Sequence, residues 1–466
     1  MSDNPALLLV ERDDKKRMRE LYYSPEKTLH IVEKKSHREY RSKHQDTKEL
    51  LTKIFLPAGY PNTVTPDYLL YQILNAAQAF CNSLASLLAS RAALEGIGVG
   101  DPSATSTGAM LISVLQDIFG RIATIIGAYY LGTRLVPEAK KYRFLADVLN
   151  DIAVVVDVFN PVFSAFMFPG ARVIGLCTSA ALRAVCGVLA GGAKAAITLH
   201  FATPRGGVGD VGDLNAKDSS KETVLALLGM LLGSVMIPHI TSPWVTYPVL
   251  LLLISVHLVI NYIAVRGLAI RSPNRHRATI AWLWYRSKDE CAPSPQAVAS
   301  RELIFERPEN IRDPTTSLVL GKCHVGSAPL DVMRGPALSQ EYLDIFHADK
   351  YIVCFNPSHE TGHLPIIHIC FKEGFTRADE LKSWIHAVEI CRSIALNQVP
   401  IQKGSKAVEL EHIRSTFQVV KEKYDHFVDH MKKAGWNFDE SHLASGSGPK
   451  AVLLNIAQTP SRNIPT

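Results

Sequence analysis

Polar and apolar positions divide the chain into a charged start, an apolar middle and a polar end. Residues 1–54 carry both signs of charge densely. Between Phe55 and Val265 only 24 of 211 residues are charged, against 70 of the other 255. Inside this block Thr223–Val265 runs for 43 residues without an Asp, Glu, Lys or Arg. Leu225–Ile237 is apolar but short for a bilayer span. After a break at Pro238–Pro243, the 22 residues Trp244–Val265 reach across about 30 Å of hydrocarbon at about 1.5 Å per residue. Trp244 and Tyr247 suit a membrane interface at one end. At the other, Arg266, Arg271, Arg275, Arg277, Arg286 and Lys288 precede the first acid, Asp289, which places that end on the cytoplasmic or equivalent side. The competing reading is the central hairpin of a soluble helical core.

Periodicity predicts further helices upstream. Thr65-Pro66-Asp67 starts one that runs to about Leu94, with Thr65 as cap, Pro66 in the first turn and Asp67 at the positive end of the dipole. Its middle is crowded with Ala and Ser, which lets helices approach closely. Asp101-Pro102 starts a second helix through Gly108–Leu131, with Asp117 and Arg121 four apart. Pro137-Glu138 starts a third, amphipathic one that Asn160-Pro161 ends. Tyr142, Leu145, Leu149, Ile152 and Val156 share one face of it, and Asp147, Asn150 and Asp151 another. A fourth segment runs from Gly170 to about Phe201 and holds Lys194 and His200. Ser219–Glu222 reads as a capping box that opens the long uncharged stretch.

The flanks differ. Thr28–Val32 reads as a short strand or as part of a polar arm. Cys291–Ala299, with two prolines, is the expected linker. Beyond it, Tyr351–Phe355 and Ile366–Phe371 are strand-like. Thr376 caps a helix with the stripe Leu381, Trp384, Ile385, Val388 and Cys391, and a second helix covers about Ala407–Ala434 and stops at Gly435. The fold class is therefore mainly α: a multi-helix, membrane-type bundle with a small C-terminal α+β domain. The expected domains are a polar arm over 1–54, a helical domain over 55–288, an α+β domain over 289–440 and a disordered tail over 441–466.

Charge and cysteine usage narrow the classes. The net charge of +6 is mild, and no basic run is interleaved with aromatics, so nucleic acid is not an expected partner. The eight cysteines are scattered without a Cys-x-x-Cys pair, which suits a reducing compartment. The acids near the N-terminus and the shortness of Ala6–Val10 predict neither a secretory signal nor an organelle transit peptide.

Two motifs match by letter. Gly207-Val-Gly-Asp-Val-Gly212 fits G-x-G-x-x-G, but that fingerprint needs a strand before it and a helix start at its end. A helix precedes it here, and the expected helix start is seven residues later. His359-Glu-Thr-Gly-His363 fits H-E-x-x-H, yet prolines flank it and strand-like runs bracket it, so a hairpin turn is expected and no metal is assigned. No catalytic residue or cofactor is assigned either.

Several stretches together resemble the root UVB sensitive family. They are Phe55–Pro61 with Val64, Asp67-Tyr68-Leu69-x-Tyr71-Gln72, Gly96-x-Gly98-Val-Gly100, Ala146-Asp147-x-Leu149-Asn150-Asp151, Asp213–Thr223 and Asn274-Arg-x-Arg277. They fall across roughly residues 52–290. The resemblance implies a membrane-associated helical protein without an established biochemical activity. It also implies links to vitamin B6 homeostasis and ultraviolet-B responses, known from plant members. In the second helix the family's expected Lys-Asp-Gly run is replaced by Val114–Gly120, which keeps Asp117 and a later Gly120.

Ionised groups inside apolar helices are expensive. The candidate lining of a ligand site is accordingly Asp117, Arg121, Asp147, Asn150, Asp151, Lys194, His200 and Lys217. For Asp117 and Arg121 a structural pair at a helix–helix contact is the alternative. The functional expectation is a membrane protein that binds or moves a small molecule, with lipid, a small-molecule ligand and a protein partner as contacts. The alternative is a scaffold that presents the C-terminal domain, with the stripe Leu381–Cys391 for association. An enzyme is a third reading and rests on His359–His363.

Overall fold

The start of the chain folds into strands. The computed structural model describes residues 6–12, 18–23, 29–34, 50–96, 105–166, 170–240, 242–329, 340–356, 364–396, 406–438 and 443. The chain divides into two compact units, Met1–Ala58 and Gly59–Thr466. In the first, β1 (Ala6–Arg12), β2 (Met18–Tyr23) and β3 (Leu29–Lys34) form an antiparallel meander in that order. The strand predicted over Thr28–Val32 is β3. Two more strands lie where the sequence predicts a polar arm.

The second unit is built on helices. They are α1 (Tyr68–Gly96), α2 (Ser106–Leu131), α3 (Ala139–Phe166), α4 (Ala171–Ala202), α5 (Val211–Met236) and α6 (Pro243–Gly267). Helix α1 packs along α3, α5 and α6. On the far side α3 packs on α4, and α4 carries α2. Small residues set the spacing: a Cβ on Gly229 of α5 would lie 2.8 Å from Ser83 Cβ of α1. Among the described residues four helical segments, Ser106–Arg134, Ala171–Ala202, Val211–His239 and Trp244–Gly267, are long and apolar enough to cross a membrane. The third helix is not among them, as its amphipathic pattern predicts. It continues through Pro161 to Phe166, since one missing N–H does not end a helix held by neighbours on two sides.

One predicted start moves. Helix α5 opens at Val211, where the Asp210 carboxylate accepts the N–H groups of Gly212 and Asp213 at 2.7 and 3.2 Å. Ser219–Glu222 is thus mid-helix and caps nothing. Asp67, assigned to its own helix dipole, turns away to bridge other elements.

The C-terminal part is a four-stranded sheet in the order β4-β5-β7-β6, from Asn310–Arg312, Val319–Val325, Tyr351–Asn356 (β6) and Ile366–Phe371 (β7). β5 and β7 run parallel, and the other neighbours antiparallel. Between the bundle and the sheet come α7 (Arg275–Ser287) and α8 (Pro295–Ala299), and α9 (Gln340–Ile345) lies between β5 and β6. Helices α10 (Arg377–Ala395) and α11 (Lys406–Ala434) complete it. Thr376 and Asp379 form the capping box of α10, and Gly435 ends α11 at φ 104°.

The stripe Leu381, Trp384, Ile385, Val388 and Cys391 is buried in this core. It therefore offers no face for association. Trp384 donates to Thr279 Oγ1 of α7 at 2.9 Å, and Trp282 of α7 donates to Glu389 of α10 at 2.8 Å. The arginines that follow α6 hold protein rather than face a membrane. Arg271 donates to Gly435 O, Arg275 to Leu443 O and Arg277 to Glu302.

Candidate functional site

A polar stripe runs down an otherwise small and apolar helix. Gln72, Asn75, Gln78 and Asn82 of α1 recur every three or four residues and so share one face. The facing helices answer in steps of four: Asp218 and Glu222 on α5, Arg143, Asp147 and Asp151 on α3, His257 and Asn261 on α6. Lys194 comes from α4. Between these faces lies a cavity of about 440 Å³, which Tyr71, Ile197, Phe201 and Ala226 also line. That is within the range of about 300–1,000 Å³ usual for small-molecule sites.

Every carboxylate in the network has a cationic or imidazole partner. Arg143 pairs with Asp147 at 2.7 Å, and Asn261 donates to the same oxygen at 2.5 Å. Asp218 accepts from Gln72 at 2.6 Å, from Tyr68 at 2.9 Å and from Lys221 at 2.9 Å. Asp151 bonds His257 Nδ1 at 2.8 Å. Glu222 accepts from Asn75 at 2.7 Å and pairs with Lys194 at 3.0 Å. Exposure separates these pairs. The side chains of Asp218 and of the Asp151–His257 pair are 4 % exposed, and those of Arg143 and Asp147 13 %, whereas Lys194 and Glu222 are each 35 % exposed. Lys194 and Glu222 are thus the most exposed ion pair of the cavity lining.

Aromatic rings and a polar clasp close one end. Phe201 meets Tyr68 edge-on at 5.2 Å and lies 5.4 Å from Tyr71. Next to it His200 Nε2 lies 3.0 Å from Asp67, and the same Asp67 oxygen accepts the Ala269 N–H at 2.8 Å. Burial alone would raise the Asp67 pKa. The hydrogen bond and charge of His200, with bonds from Thr65 and Ala269, outweigh it and hold the carboxyl at about 2.

The predicted residues separate into groups. Asp147 and Lys194 line the cavity. Asn150 donates to the lining residue Asn82 at 2.8 Å, Asp151 holds His257, and His200 anchors the closed end. Lys217 lies outside the lining, because one residue before Asp218 is about 100° round the helix. Asp117 and Arg121 do not reach the cavity. They bond each other at 2.9 Å on the outer side of α2, so among the described residues they neither line the cavity nor sit at a helix–helix contact. Arg143, Asp218, Glu222, Asn75 and His257 are functional candidates that the selection of isolated charges passed over. Their signal was the four-residue recurrence on each helix.

Of the two letter-perfect motifs, the glycine run has a structural answer. The glycine run ends on a helix start after all, but Asp210 occupies the N–H groups there. Gly209 N donates to Ala202 O at 2.7 Å, and a Cβ on Gly209 would lie 2.4 Å from Thr63 O. These glycines serve close packing. Gly209→Ala is expected to destabilise the protein by about 1–3 kcal/mol, measured as a lower midpoint of thermal unfolding. His359–His363 lie outside the described residues. Among the described residues no group of three or more His, Cys, Asp or Glu is placed to hold a metal ion.

Residues 41–289 match the family described as the vitamin B6 photo-protection and homoeostasis domain, and residues 325–446 match the root UVB sensitive protein C-terminal family. RUS family member 1 of Dictyostelium discoideum is 38% identical over 55% of this chain, an alignment that spans 48%, about half, of that relative. Protein root UVB sensitive 3 of Arabidopsis thaliana is 29% identical over 82% of this chain and 81% of its own length. Protein root UVB sensitive 2, chloroplastic, of the same plant is 23% identical over 85% and 83%. No solved structure matches the chain.

Proposed function

We propose, starting from the fact that this chain belongs to the root UVB sensitive family, that its helical bundle sits in a membrane and binds a small polar molecule in the central cavity. The observation that carries this is the half-exposed Lys194–Glu222 pair in a polar cavity, inside a bundle whose outer faces are apolar. A cation and an anion side by side, both reachable, suit a solute that carries acceptors and donors on one small frame. The support is that ionisable groups on apolar helices are expensive, and that those which face a cavity mark solute pathways. A hydroxylated pyridine of the vitamin B6 class is the first ligand to try, given the description of the matched domain. Movement of that solute across the membrane is the finer form of the same reading.

Full-length protein purified in detergent should bind pyridoxine, pyridoxal or pyridoxal phosphate saturably in equilibrium dialysis. Glu222→Gln and Lys194→Ala should each weaken binding by about tenfold or more, the loss of one charge-assisted hydrogen bond. Saturable binding that neither substitution changes would place the ligand elsewhere. No saturable binding of any of the three would reject the ligand class.

A further inference from the structure

Among the described residues nothing covers the outer side of helix α2. Gly120 and Gly127 turn toward α4, where a Cβ would meet Ala184 and Val185 at 3.8 and 3.9 Å. Gly127 is the buried residue of α2, and the other side carries Met110, Val114 and Ile125 at 58 %, 48 % and 70 % exposure. Among them lies the ion pair, with Asp117 65 % and Arg121 76 % exposed. Water suits the ion pair and not the apolar residues. Lipid suits the apolar residues and not the ion pair, which straddles the middle of the Ser106–Arg134 segment, where hydration is furthest away.

We propose that a second copy of this chain covers this face, with α2 packed against α2. A twofold interface puts the same patch on both sides, so the patch must complement itself. An Asp and an Arg one helical turn apart do so. In two parallel α2 helices related by an axis along the membrane normal, both pairs lie at the same depth. Asp117 and Arg121 are separated by about 6 Å along the axis, which the length of an arginine side chain bridges to the partner's Asp117. Four charges then alternate in sign, shielded by the apolar residues above and below. A lipid tail offers no such groups, and an unlike protein would need a matching pair of its own. The inference does not depend on what the cavity binds.

The test uses full-length copies with two different tags, co-expressed, extracted in mild detergent and captured through one tag. Wild-type copies should bring each other down. Asp117→Arg in both copies leaves four cations at the interface, and Arg121→Asp in both leaves four anions. Each should cut recovery of the second tag by at least about tenfold. Asp117→Arg in one copy with Arg121→Asp in the other should restore recovery to the wild-type level. Restoration also shows that both variants fold. Wild-type copies that fail to associate, single-type variants that associate as wild type does, or a mixed pair that stays apart would each overturn the proposal and leave α2 facing lipid.

Discussion

Glu302→Gln will destabilise the junction between the bundle and the C-terminal core by about 3–5 kcal/mol, the cost of stranding buried cations. Glu302 holds Lys140 of α3 at 2.6 Å and Arg277 of α7 at 2.8 Å, and all three side chains are at most 5 % exposed. Burial alone would raise the Glu302 pKa. The charges of Arg277 and Lys140 outweigh it and bring the carboxyl from 4.5 to about 2. A carboxyl with a lowered folded-state pKa stabilises fully above its unfolded value, and the contribution fades as pH falls below 4.5 toward 2. Thermal unfolding of wild type and variant should therefore differ most at neutral pH, and the gap should narrow through the window from pH 4.5 down. A gap that is constant or widens toward acid would contradict this role of Glu302.

Asp147→Ala should cost about 3 kcal/mol or more, because it leaves the Arg143 guanidinium without its carboxylate between α1 and α3. Asn261 of α6 loses its acceptor in the same step. Asp147 thus ties α3 to α6 and keeps Arg143 turned along the cavity wall. Asp147→Asn should recover part of the loss, since it restores an acceptor for Asn261 but not the charge. The measurement is the unfolding midpoint of detergent-purified protein. Equal loss in the alanine and asparagine variants would show that the charge alone matters; no loss in either would remove Asp147 from the framework.

Much of this architecture was readable from local pattern. The long helices α1 to α6, α10 and α11, the α3 amphipathy, the strands β6 and β7 and the Thr376 cap of α10 follow from spacing and cap chemistry, which act over a few residues. What local pattern does not carry is partnership. The parallel pairing of β5 with β7 joins segments that Ile352 and its neighbours on β6 separate in sequence, and nothing in Val319–Val325 announces it. The basic run from Arg271 to Arg286 reads as a membrane flank, yet its members bond Gly435, Leu443, Glu302 and Glu389.

The candidate site shows the same division. Isolated charges in apolar helices single out Asp147 and Lys194, which line the cavity, together with Asp117 and Arg121, which lie on an exposed helix side, because composition does not say which side of a helix is inside. The recurrence of Gln72, Asn75, Gln78 and Asn82 did carry that information. So did Asp218 with Glu222, four apart, once the true start of α5 at Val211 is known.

Lipid is the proposed solvent of the outer faces of α4, α5 and α6, and alkaline carbonate extraction of membranes from cells expressing the full chain tests this most directly. Peripheral proteins leave the membrane under that treatment and embedded ones stay. Recovery of the protein in the membrane pellet is the predicted result. Complete release into the supernatant would contradict it.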